Sequence, residues 1–502
     1  MFFPISFDEL SAFTYFVLNK IIQNRMHVIH ISVECYPIAK VGGLADVVGS
    51  LPKYQNRAGL DSWVVMPAYQ VPWIQKRSFE MVHKGHANIG PSWFRYSILR
   101  LESNETGFPL YIVDIPGRYD RPGVYVDPSS GYGYWDEFER YLSFQVAVLQ
   151  WLSSFTNKPD IIHCHDHHTA LIPFMVTSCP DFQALRHVPT VLTIHNGEYH
   201  GWYDIGKRFL LPYYDSSRTG LLEWGGRLNA LSAGIRTCWA LTTVSQSYMD
   251  ELKVSSAGLE QLIRSESGKS FGIINGIDND VWDPQTDPLI DKNYSLKTLK
   301  TGKHHNKEVL CSAFNLDPHR PTFAFIGRLV KEKGADILPD LISEYINAGK
   351  QANFVILGTG DPELHFRFQK MASTYVGYFD TSLQYNEKLA HQIYAGTDFL
   401  LMPSRVEPCG LNQMYALRYG TIPIVRSVGG LKDTVIDISE PDGYGIRFDH
   451  LSVGDMWHAL DRAMELFNNQ KQLINLQKKS ISLDFSWNKS AELYIQLYKK
   501  LI

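Results

Sequence analysis

Two adjoining segments, HVIHISVEC (27–35) and KVGGLADVV (40–48), determine the predicted fold class. The first is a short run rich in Val and Ile, which is typical of a buried β-strand. The second places a glycine pair before an apolar helical pattern, so the chain is expected to turn and enter a helix. A strand, a glycine turn and a helix in this order predict a unit of a parallel α/β fold.

The same plan recurs along the chain in two series of predicted strands. The first series continues with WVVMP (63–67), DIIHCH (160–165), PTVLTIHN (189–196) and ALTTVS (240–245). The second comprises TFAFIGRL (322–329), NFVILGTG (353–360), DFLLMPS (398–404) and TIPIVRS (421–427). Helical patterns such as ILPDLISEYINAG (337–349) and NEKLAHQIYAG (386–396) separate strands of the second series.

The length of 502 residues exceeds what one hydrophobic core usually spans, so two domains of roughly 200 to 250 residues each are expected. The segment GIINGID (272–278) is interpreted as the first strand and turn of the second lobe. The polar stretch 283–309, which contains Pro and several Asp residues, is interpreted as a connector. Ligands of open parallel sheets lie at the carboxyl ends of the strands, so a cleft lined by strand-end loops is predicted.

Composition excludes several classes of protein. Apolar residues make up 44% and charged residues 20% of the chain, as in ordinary globular proteins. Lys and Arg number 48 against 52 Asp and Glu, with no basic block that could follow a phosphate backbone, so no nucleic-acid partner is expected. The six cysteines form no C-x-x-C pair, which argues against a disulfide framework and fits a reducing cytoplasm.

The first 25 residues are interpreted as an N-terminal extension without an assigned function. Residues 1–24 are apolar in patches, but they lack a basic start and are interrupted by Asp8 and Glu9, unlike a signal peptide. No other run of the chain approaches the length of a membrane span, so no membrane association is expected.

Cationic residues beside two of the predicted strands suggest phosphate binding. Gly42 and Gly43 would let backbone N–H groups approach a phosphate, and Lys40 adds a positive charge; the alternative is a tight turn with a solvated lysine. Arg328 ends a predicted strand and Lys333 follows five residues later. Two cations that converge on one point suit a pyrophosphate leaving group, although Lys333 alone also fits an ordinary surface lysine.

Two further strand-end loops carry candidate sugar-binding groups. Glu407 lies in a turn before an apolar helical run, where it either binds sugar hydroxyls or caps the helix. The backbone N–H groups of Cys409, Gly410 and Leu411 would add donors at the helix start. His195 ends another strand, where it either bonds a sugar hydroxyl, acts in acid–base chemistry, or is a structural histidine.

Two other motifs have competing interpretations. The string HCHDHH (163–168) resembles a metal cluster, but alternation along a strand puts His163 and His165 on one side without a matching acidic or cysteine pair. We therefore expect no metal site, and interpret these residues and Asp166 as part of a cleft wall. The string VGGLKDTV (428–435) resembles VGGLADVV (41–48) and either contacts substrate hydroxyls or only turns the chain.

Together these segments make the chain resemble the bacterial glycogen synthases and plant starch synthases, glycosyltransferase family 5, from Met26 onward. The resemblance is carried by KVGGLADV, DRPGVYVD, HCHDHHTALIP, TIHNGEYHG, TTVSQSY, GIINGID, GRLVKEKG, PSRVEPCGLNQMYALRYGTIPIVR and GGLKDTV. It implies a GT-B architecture, in which two Rossmann-like lobes with a cleft between them close over a nucleotide-sugar donor. The implied lobes are residues 26–270 on the acceptor side and 271–483 on the donor side, with a helix in 484–502 that packs back on the first lobe.

The resemblance also assigns roles to particular residues. It implies that Lys40 binds a phosphate, that Arg328 and Lys333 bind the diphosphate, and that Glu407 is essential. His195 would contact the transferred glucose. The remaining implied donor-binding residues are Gly42, Gly43, Asp46, Asp136, Asn275, Tyr385, Cys409, Gly410 and Leu411, with Tyr385 stacked on the nucleotide base.

By the same resemblance, the expected function is transfer of glucose from ADP-glucose to an α-1,4-glucan with retention of configuration, without a metal or cofactor. One alternative is a GT-B transferase that uses UDP-glucose or another acceptor. Another is an inactive glucan-binding scaffold, which the intact cationic and acidic motif residues argue against. Hydrolysis is disfavoured, because a glycoside hydrolase needs a pair of carboxylates and Glu407 has no evident partner in the sequence.

Overall fold

The computed structural model describes residues 25–502, so the interpreted extension lies outside the described residues except for Arg25. The described chain divides into two compact units. The first contains the chain up to Thr242 together with Ser255–Phe271 and Ala491–Ile502, and the second contains Thr243–Val254 and Gly272–Ser490. Each unit is therefore assembled from segments that are not contiguous in sequence.

The first twelve described strands form a large sheet and a small one. They are β1 (His27–Ile31), β2 (Asp61–Pro67), β3 (Phe79–Ile89), β4 (Ser92–Leu101), β5 (Leu110–Asp114), β6 (Ile161–His165), β7 (Thr190–Ile194), β8 (Trp202–Tyr203), β9 (Glu223–Trp224), β10 (Arg227–Asn229), β11 (Ala240–Thr243) and β12 (Ser270–Gly272). The large sheet has the order β12-β11-β7-β6-β1-β2-β5-β4-β3, and the small antiparallel sheet has the order β8-β10-β9.

The large sheet is mixed. Strands β7, β6, β1, β2 and β5 pair in parallel, which confirms the predicted α/β class for this part of the chain. The long strands β3 and β4 form an antiparallel hairpin that joins the edge of the sheet through β5, and the sequence reading missed them. Their side chains alternate between exposed and covered positions, as expected for strands with one solvated face.

The second unit contains a parallel sheet of six strands. They are β13 (Thr322–Ile326), β14 (Asn353–Leu357), β15 (Phe379–Ser382), β16 (Phe399–Met402), β17 (Ile422–Arg426) and β18 (Ile446–Phe448), in the order β15-β14-β13-β16-β17-β18. Phe323 stacks against Phe354 and Phe399 on the two neighbouring strands, with ring centroids 5.3 and 5.0 Å apart. These fully buried rings form the centre of a core that helices complete.

Helices cover the sheets. The α-helices are α1 (Gly43–Arg57), α2 (Pro72–Gln75), α3 (Glu137–Ser153), α4 (Leu171–Ser178), α5 (Ala230–Thr237), α6 (Gln246–Leu252), α7 (Glu260–Ser265), α8 (Leu299–Ala313), α9 (Leu338–Asn347), α10 (Pro362–Thr374), α11 (Glu387–Gly396), α12 (Asn412–Arg418), α13 (Gly429–Thr434), α14 (Val453–Asn468), α15 (Gln470–Ile481) and α16 (Trp487–Lys499). Short 3-10 helices span His167–Thr169, Pro180–Leu185, Ile205–Leu210, Ser216–Leu221, Ser267–Lys269 and Lys331–Lys333. In the described part of the chain, no helix combines the length and the apolar character that crossing a membrane requires.

Two interpretations of the middle of the chain are wrong. The segment 272–278 is not the first strand of the second sheet: Gly272 ends β12 at the edge of the large sheet, and the residues after it form only a bridge at Ile277. The stretch 283–309 is not a plain connector, because it packs onto the second unit. Asp287 is buried and accepts hydrogen bonds from His391 and Tyr419, so its polar group is satisfied within the core.

Candidate active site

Glu407 lies in a buried cluster of charged and polar groups in the second unit. Its side chain is held by Lys333, whose Nζ donates to both carboxylate oxygens at 2.8 Å, and by the Ser404 hydroxyl, which donates to Oε2 at 2.9 Å. Glu407 is only 7% exposed. Lys333 and Glu407 follow β13 and β16, which are neighbouring parallel strands, so their loops meet at the same edge of the sheet.

The glycine pair of VGGLKDTV packs directly against the Glu407 loop. A Cβ on Gly429, whose φ is +44°, would lie 2.1 Å from the carbonyl oxygen of Glu407. A Cβ on Gly430 would lie 2.2 Å from the carbonyl oxygen of Cys409, and the Gly430 N–H donates to the Glu407 carbonyl at 3.0 Å. This second loop therefore fixes the backbone of the first, which accounts for its glycines without a substrate contact.

Arg328 differs from Lys333 in its surroundings. Its side chain is 63% exposed and donates to the Glu332 carboxylate at 3.2 Å. Within the protein each cation has its own carboxylate partner, so their convergence on a diphosphate stays a prediction. An exposed guanidinium keeps its charge and can turn toward an anionic ligand at little cost.

Three of the predicted donor-binding residues, Cys409, Gly410 and Leu411, lie directly before α12. Cys409 is buried, and burial raises its pKa to about 12 although the backbone of Asn275 hydrogen-bonds the thiol. Cys409 is therefore an unreactive apolar residue at neutral pH. Gly410 turns the chain with a φ of +73°, Leu411 precedes the helix, and α12 begins at Asn412.

Asn275 and Tyr385 complete the predicted donor-binding residues of this unit. Asn275 is 6% exposed, and within the described residues its Oδ1 has no hydrogen-bond partner. A buried, unpaired amide oxygen is costly, which is consistent with a site completed by a ligand. Tyr385 lies between β15 and α11 and is 78% exposed, as a residue that stacks on a ligand base would be.

In the first unit, the loop before α1 carries the predicted phosphate site. Lys40 bonds Asp46 at 2.7 Å, and both side chains are partly exposed. The Gly42 N–H donates to the buried Glu34 carboxylate at 2.9 Å, so a phosphate could use this group only if Glu34 released it. A Cβ on Gly42 or Gly43 would meet no heavy atom within 4 Å, so open space rather than internal packing surrounds these glycines.

Asp136 has a structural role that the sequence did not indicate. It is 1% exposed and accepts hydrogen bonds from Arg121 at 2.6 and 2.8 Å and from Arg118 at 3.2 Å. Burial opposes its ionisation, but the two guanidinium groups outweigh burial and lower its pKa. These ion pairs account for Asp136 without a donor contact.

His195 lies at the carboxyl end of β7 and is 9% exposed. Its backbone N–H donates to Asp166 Oδ1 at 2.7 Å, and its Nε2 lies 3.0 Å from His165 Nδ1. Burial lowers the pKa of His195 to about 3, so the ring is neutral at ordinary pH. A neutral ring favours hydrogen bonding to a sugar hydroxyl over donation of an acidic proton.

The sequence reading missed that His30 joins His163 and His165. The strands β1 and β6 are neighbours in register, which brings ligand atoms of the three buried rings within 4.8 Å of one another. All six ring nitrogens already have protein hydrogen-bond partners: Gln55 and His165 for His30, Tyr498 and Thr193 for His163, and His30 and His195 for His165. This is the pattern of a hydrogen-bond network, and the expected absence of a metal site stays a prediction.

Comparisons with known proteins cover both units. A family model described as the starch synthase catalytic domain matches residues 27–265, and one described as glycosyl transferases group 1 matches residues 307–480. The glycogen synthase of Flavobacterium johnsoniae is 47% identical over 481 residues, which cover 95% of this chain and 99% of that protein. This chain belongs to the glycogen and starch synthase family.

A second glycogen synthase, from Lactobacillus acidophilus, is 36% identical over 491 residues. The match covers 95% of this chain and 100% of that protein. Among solved structures, the catalytic domain of starch synthase IV from Arabidopsis thaliana, bound to ADP and acarbose, matches with a TM-score of 0.82 and 31% identity. It covers 95% of this chain and 99% of that one. The predicted GT-B class with two Rossmann-like lobes is confirmed, and the chain is a retaining glycosyltransferase.

A more distant likeness extends only to the fold. Sucrose-phosphate synthase from Thermosynechococcus elongatus matches with a TM-score of 0.60 and 17% identity, over 95% of this chain and 99% of that one. Tyr415 of α12 stacks on Trp282 with ring centroids 3.8 Å apart, and the other face of Trp282 meets His391 at 3.8 Å. These stacked rings fasten Trp282, which precedes the 283–309 stretch, to helices α11 and α12 of the second unit.

Proposed function

We propose that this enzyme transfers glucose from ADP-glucose to the non-reducing end of an α-1,4-glucan and retains the α configuration. The family assignment supports the reaction class, and the ADP and acarbose bound to the related Arabidopsis enzyme support an adenine nucleotide and a glucan-like ligand. The proposal includes action in the cytoplasm without a metal or other cofactor.

The observation that carries the proposal is the pair of Lys333 and Glu407 at the ends of neighbouring parallel strands. The carboxylate holds the ammonium group at a fixed place, so little reorganisation is needed when negative charge develops nearby. Lys333 is 22% exposed as a side chain and can therefore still contact a ligand. Arg328 supplies a second, exposed positive charge in the same unit.

In the proposed reaction, the bond between the glucose C1 and the ADP oxygen breaks as the bond from C1 to the acceptor O4 forms on the same face. The leaving phosphate oxygen takes the proton of the acceptor hydroxyl. Lys333 and Arg328 stabilise the charge that develops on the diphosphate, which is the principal electrostatic demand of this step. The second unit supplies no strong general base in this scheme, because Glu407 is engaged by Lys333 and Ser404.

In the first unit, Lys40 supplies a cation to a donor phosphate and His195 bonds a hydroxyl of the transferred glucose. Both groups follow strands of the large parallel region, β1 and β7, at the edge where ligands of such sheets bind. Orientation of the donor by several weak contacts lowers the entropy cost of reaching the transition state.

The proposal is tested by release of nucleotide from ADP-glucose and, separately, from UDP-glucose, with and without glycogen. We expect ADP release that depends on glycogen, and its loss in Glu407→Ala. The matched control is Asp461→Asn, because Asp461 also accepts a hydrogen bond from a lysine, Lys350, at 2.7 Å in the same unit. Faster turnover of UDP-glucose would replace the donor assignment, and turnover of neither donor would contradict transfer and favour a glucan-binding scaffold.

A further inference from the structure

A row of hydrogen bonds runs through the interior of the first unit to His195. Gln55 Oε1 lies 2.8 Å from His30 Nε2, and His30 Nδ1 lies 3.1 Å from His165 Nε2. His165 Nδ1 lies 3.0 Å from His195 Nε2. Gln55, His30 and His165 are fully buried, so water does not compete for these bonds. We call these four residues the histidine relay.

The amide of Gln55 is held on its other side by the C-terminal helix. Its Nε2 donates to the Tyr498 hydroxyl at 3.2 Å, and that hydroxyl lies 2.7 Å from His163 Nδ1. The Ser62 hydroxyl donates to the same Oε1 that faces His30, at 2.6 Å. In this structure the amide oxygen, and not the NH2 group, faces the relay.

The protonation of the three rings and the Gln55 oxygen together fix the direction of the hydrogen bonds in the relay. Burial lowers the pKa of His30 to about 4 and of His195 to about 3, and lowers that of His165 well below its ordinary value. Each neutral ring has one N–H and one acceptor nitrogen, so every bond in the row must point the same way. The Gln55 oxygen can only accept, so His30 donates from Nε2 and must accept at Nδ1.

The same reasoning carries along the row. His165 donates from Nε2 to His30 and accepts at Nδ1, and His195 then donates from Nε2 to His165. The remaining ring nitrogen, His195 Nδ1, carries no proton. Within the described residues it has no hydrogen-bond partner, so it is the one end of the relay that a ligand can complete.

We propose that Gln55, His30 and His165 are positioning residues that hold His195 in the tautomer protonated on Nε2, so that its Nδ1 accepts a hydrogen bond from a hydroxyl of the transferred glucose. The inference rests on the proposed function for the identity of the sugar, but the tautomer itself does not. If the Gln55 amide turned over, every bond in the row would reverse and His195 would present a donor instead of an acceptor. The orientation of the buried Gln55 amide therefore determines whether His195 offers a donor or an acceptor to the sugar.

The direct test is the tautomeric state of His195 in the intact protein, measured by long-range proton–nitrogen correlation NMR with nitrogen-15-labelled histidine. The spectrum of His195→Ala identifies the signals of His195. We expect wild-type His195 to carry its proton on Nε2 and to show the shift of an unprotonated nitrogen at Nδ1. A proton on Nδ1 of His195 would overturn the proposal, whether or not the protein turns over ADP-glucose.

Two variants separate the relay from general packing. Gln55→Met keeps the volume and removes the acceptor, so we expect the His195 nitrogens to lose their distinct shifts and kcat/KM to fall about 3- to 10-fold, as for loss of one hydrogen bond. Ser62→Ala removes a hydroxyl from the same oxygen without breaking the row, so the tautomer should stay as in wild type. An unchanged tautomer in folded Gln55→Met would overturn the role of Gln55.

The sugar contact is tested with ADP-glucose analogues in which fluorine replaces one hydroxyl at a time, because fluorine accepts but cannot donate a hydrogen bond. We expect one position at which fluorine slows the wild-type enzyme and has a smaller effect on His195→Ala. Equal sensitivity of both proteins at every position would refute the acceptor role of His195. Failure of all proteins to use ADP-glucose would refute the proposed function instead and leave the NMR result standing.

Discussion

Replacing Glu407 by Gln removes one negative charge while it keeps the shape of the side chain. The carboxylate accepts two bonds from Lys333 and one from Ser404 and is 7% exposed, whereas an amide offers only one oxygen. Lys333 would then keep its charge but lose its fixed position. Removal of a preorganised electrostatic group typically lowers kcat by about 100- to 1000-fold, or about 3 to 4 kcal/mol, and we expect Glu407→Gln to fall in that range.

The same substitution has a cost in stability that must be separated from its effect on catalysis. Surface ion pairs contribute up to about 1 kcal/mol and breaking fully buried ones costs about 3 to 5 kcal/mol. Because Lys333 is 22% exposed, we expect an intermediate loss of about 2 kcal/mol in the free energy of unfolding. Urea denaturation and steady-state kinetics on one preparation measure both quantities.

Asp461→Asn is the matched control, since the Lys350–Asp461 pair lies in the same unit and plays no part in the proposed chemistry. Because Asp461 also accepts hydrogen bonds from Tyr345 and Trp457, the variant should lose about 1 to 2 kcal/mol of stability, but it should keep its kcat. The reasoning is refuted if folded Glu407→Gln retains kcat within about 3-fold of wild type, a change far below that of a lost electrostatic contact.

Three further outcomes are expected. Gly429→Ala should lower the midpoint of thermal unfolding and reduce kcat, because its Cβ would lie 2.1 Å from the Glu407 carbonyl oxygen and its φ is +44°. Tyr385→Ala should raise KM for ADP-glucose about 5- to 10-fold in initial-rate assays with little change in kcat, as loss of an aromatic stack of about 1 kcal/mol requires; an unchanged KM would remove Tyr385 from the donor site. Burial opposes ionisation of Asp437, but hydrogen bonds from Arg462, Ser439 and the backbone of Arg447 together outweigh burial and hold its pKa at about 2, below the ordinary value of about 3.9. Its depressed pKa therefore contributes about 2 kcal/mol to stability above pH ~4 that is lost as pH falls toward ~2, so Asp437→Asn should destabilise the protein strongly in neutral urea melts and weakly near pH ~2.5.

The class of the fold was predictable because its signals are local. Buried β-branched runs followed by glycine turns define units such as β1 and β13, and each can be recognised without knowledge of the rest of the chain. The hairpin of β3 and β4 was missed although its segments alternate between covered and exposed positions. The stretch 283–309 was misread because polar composition was taken as exposure, whereas Asp287 is buried with partners of its own.

The candidate site was predictable in part for the same reason. Residues at strand ends, such as Glu407 and His195, could be found because parallel strands deliver their carboxyl ends to one edge. Their partners could not be found, since the pairing of Lys333 with Glu407 and the approach of His30 to His165 depend on which strands are neighbours. Sequence spacing does not contain that order, so the ion pair and the histidine relay emerged only from the three-dimensional structure.

The most direct test of the central claim is the linkage formed when the enzyme acts on ADP-glucose labelled in the glucose. Wild-type enzyme with glycogen should produce polymer whose label is released by an enzyme specific for α-1,4 bonds at non-reducing ends, with an α-anomeric proton at the new linkage by NMR. A β-linked product, label left as free glucose, or no polymer-bound label would contradict retaining transfer to a glucan.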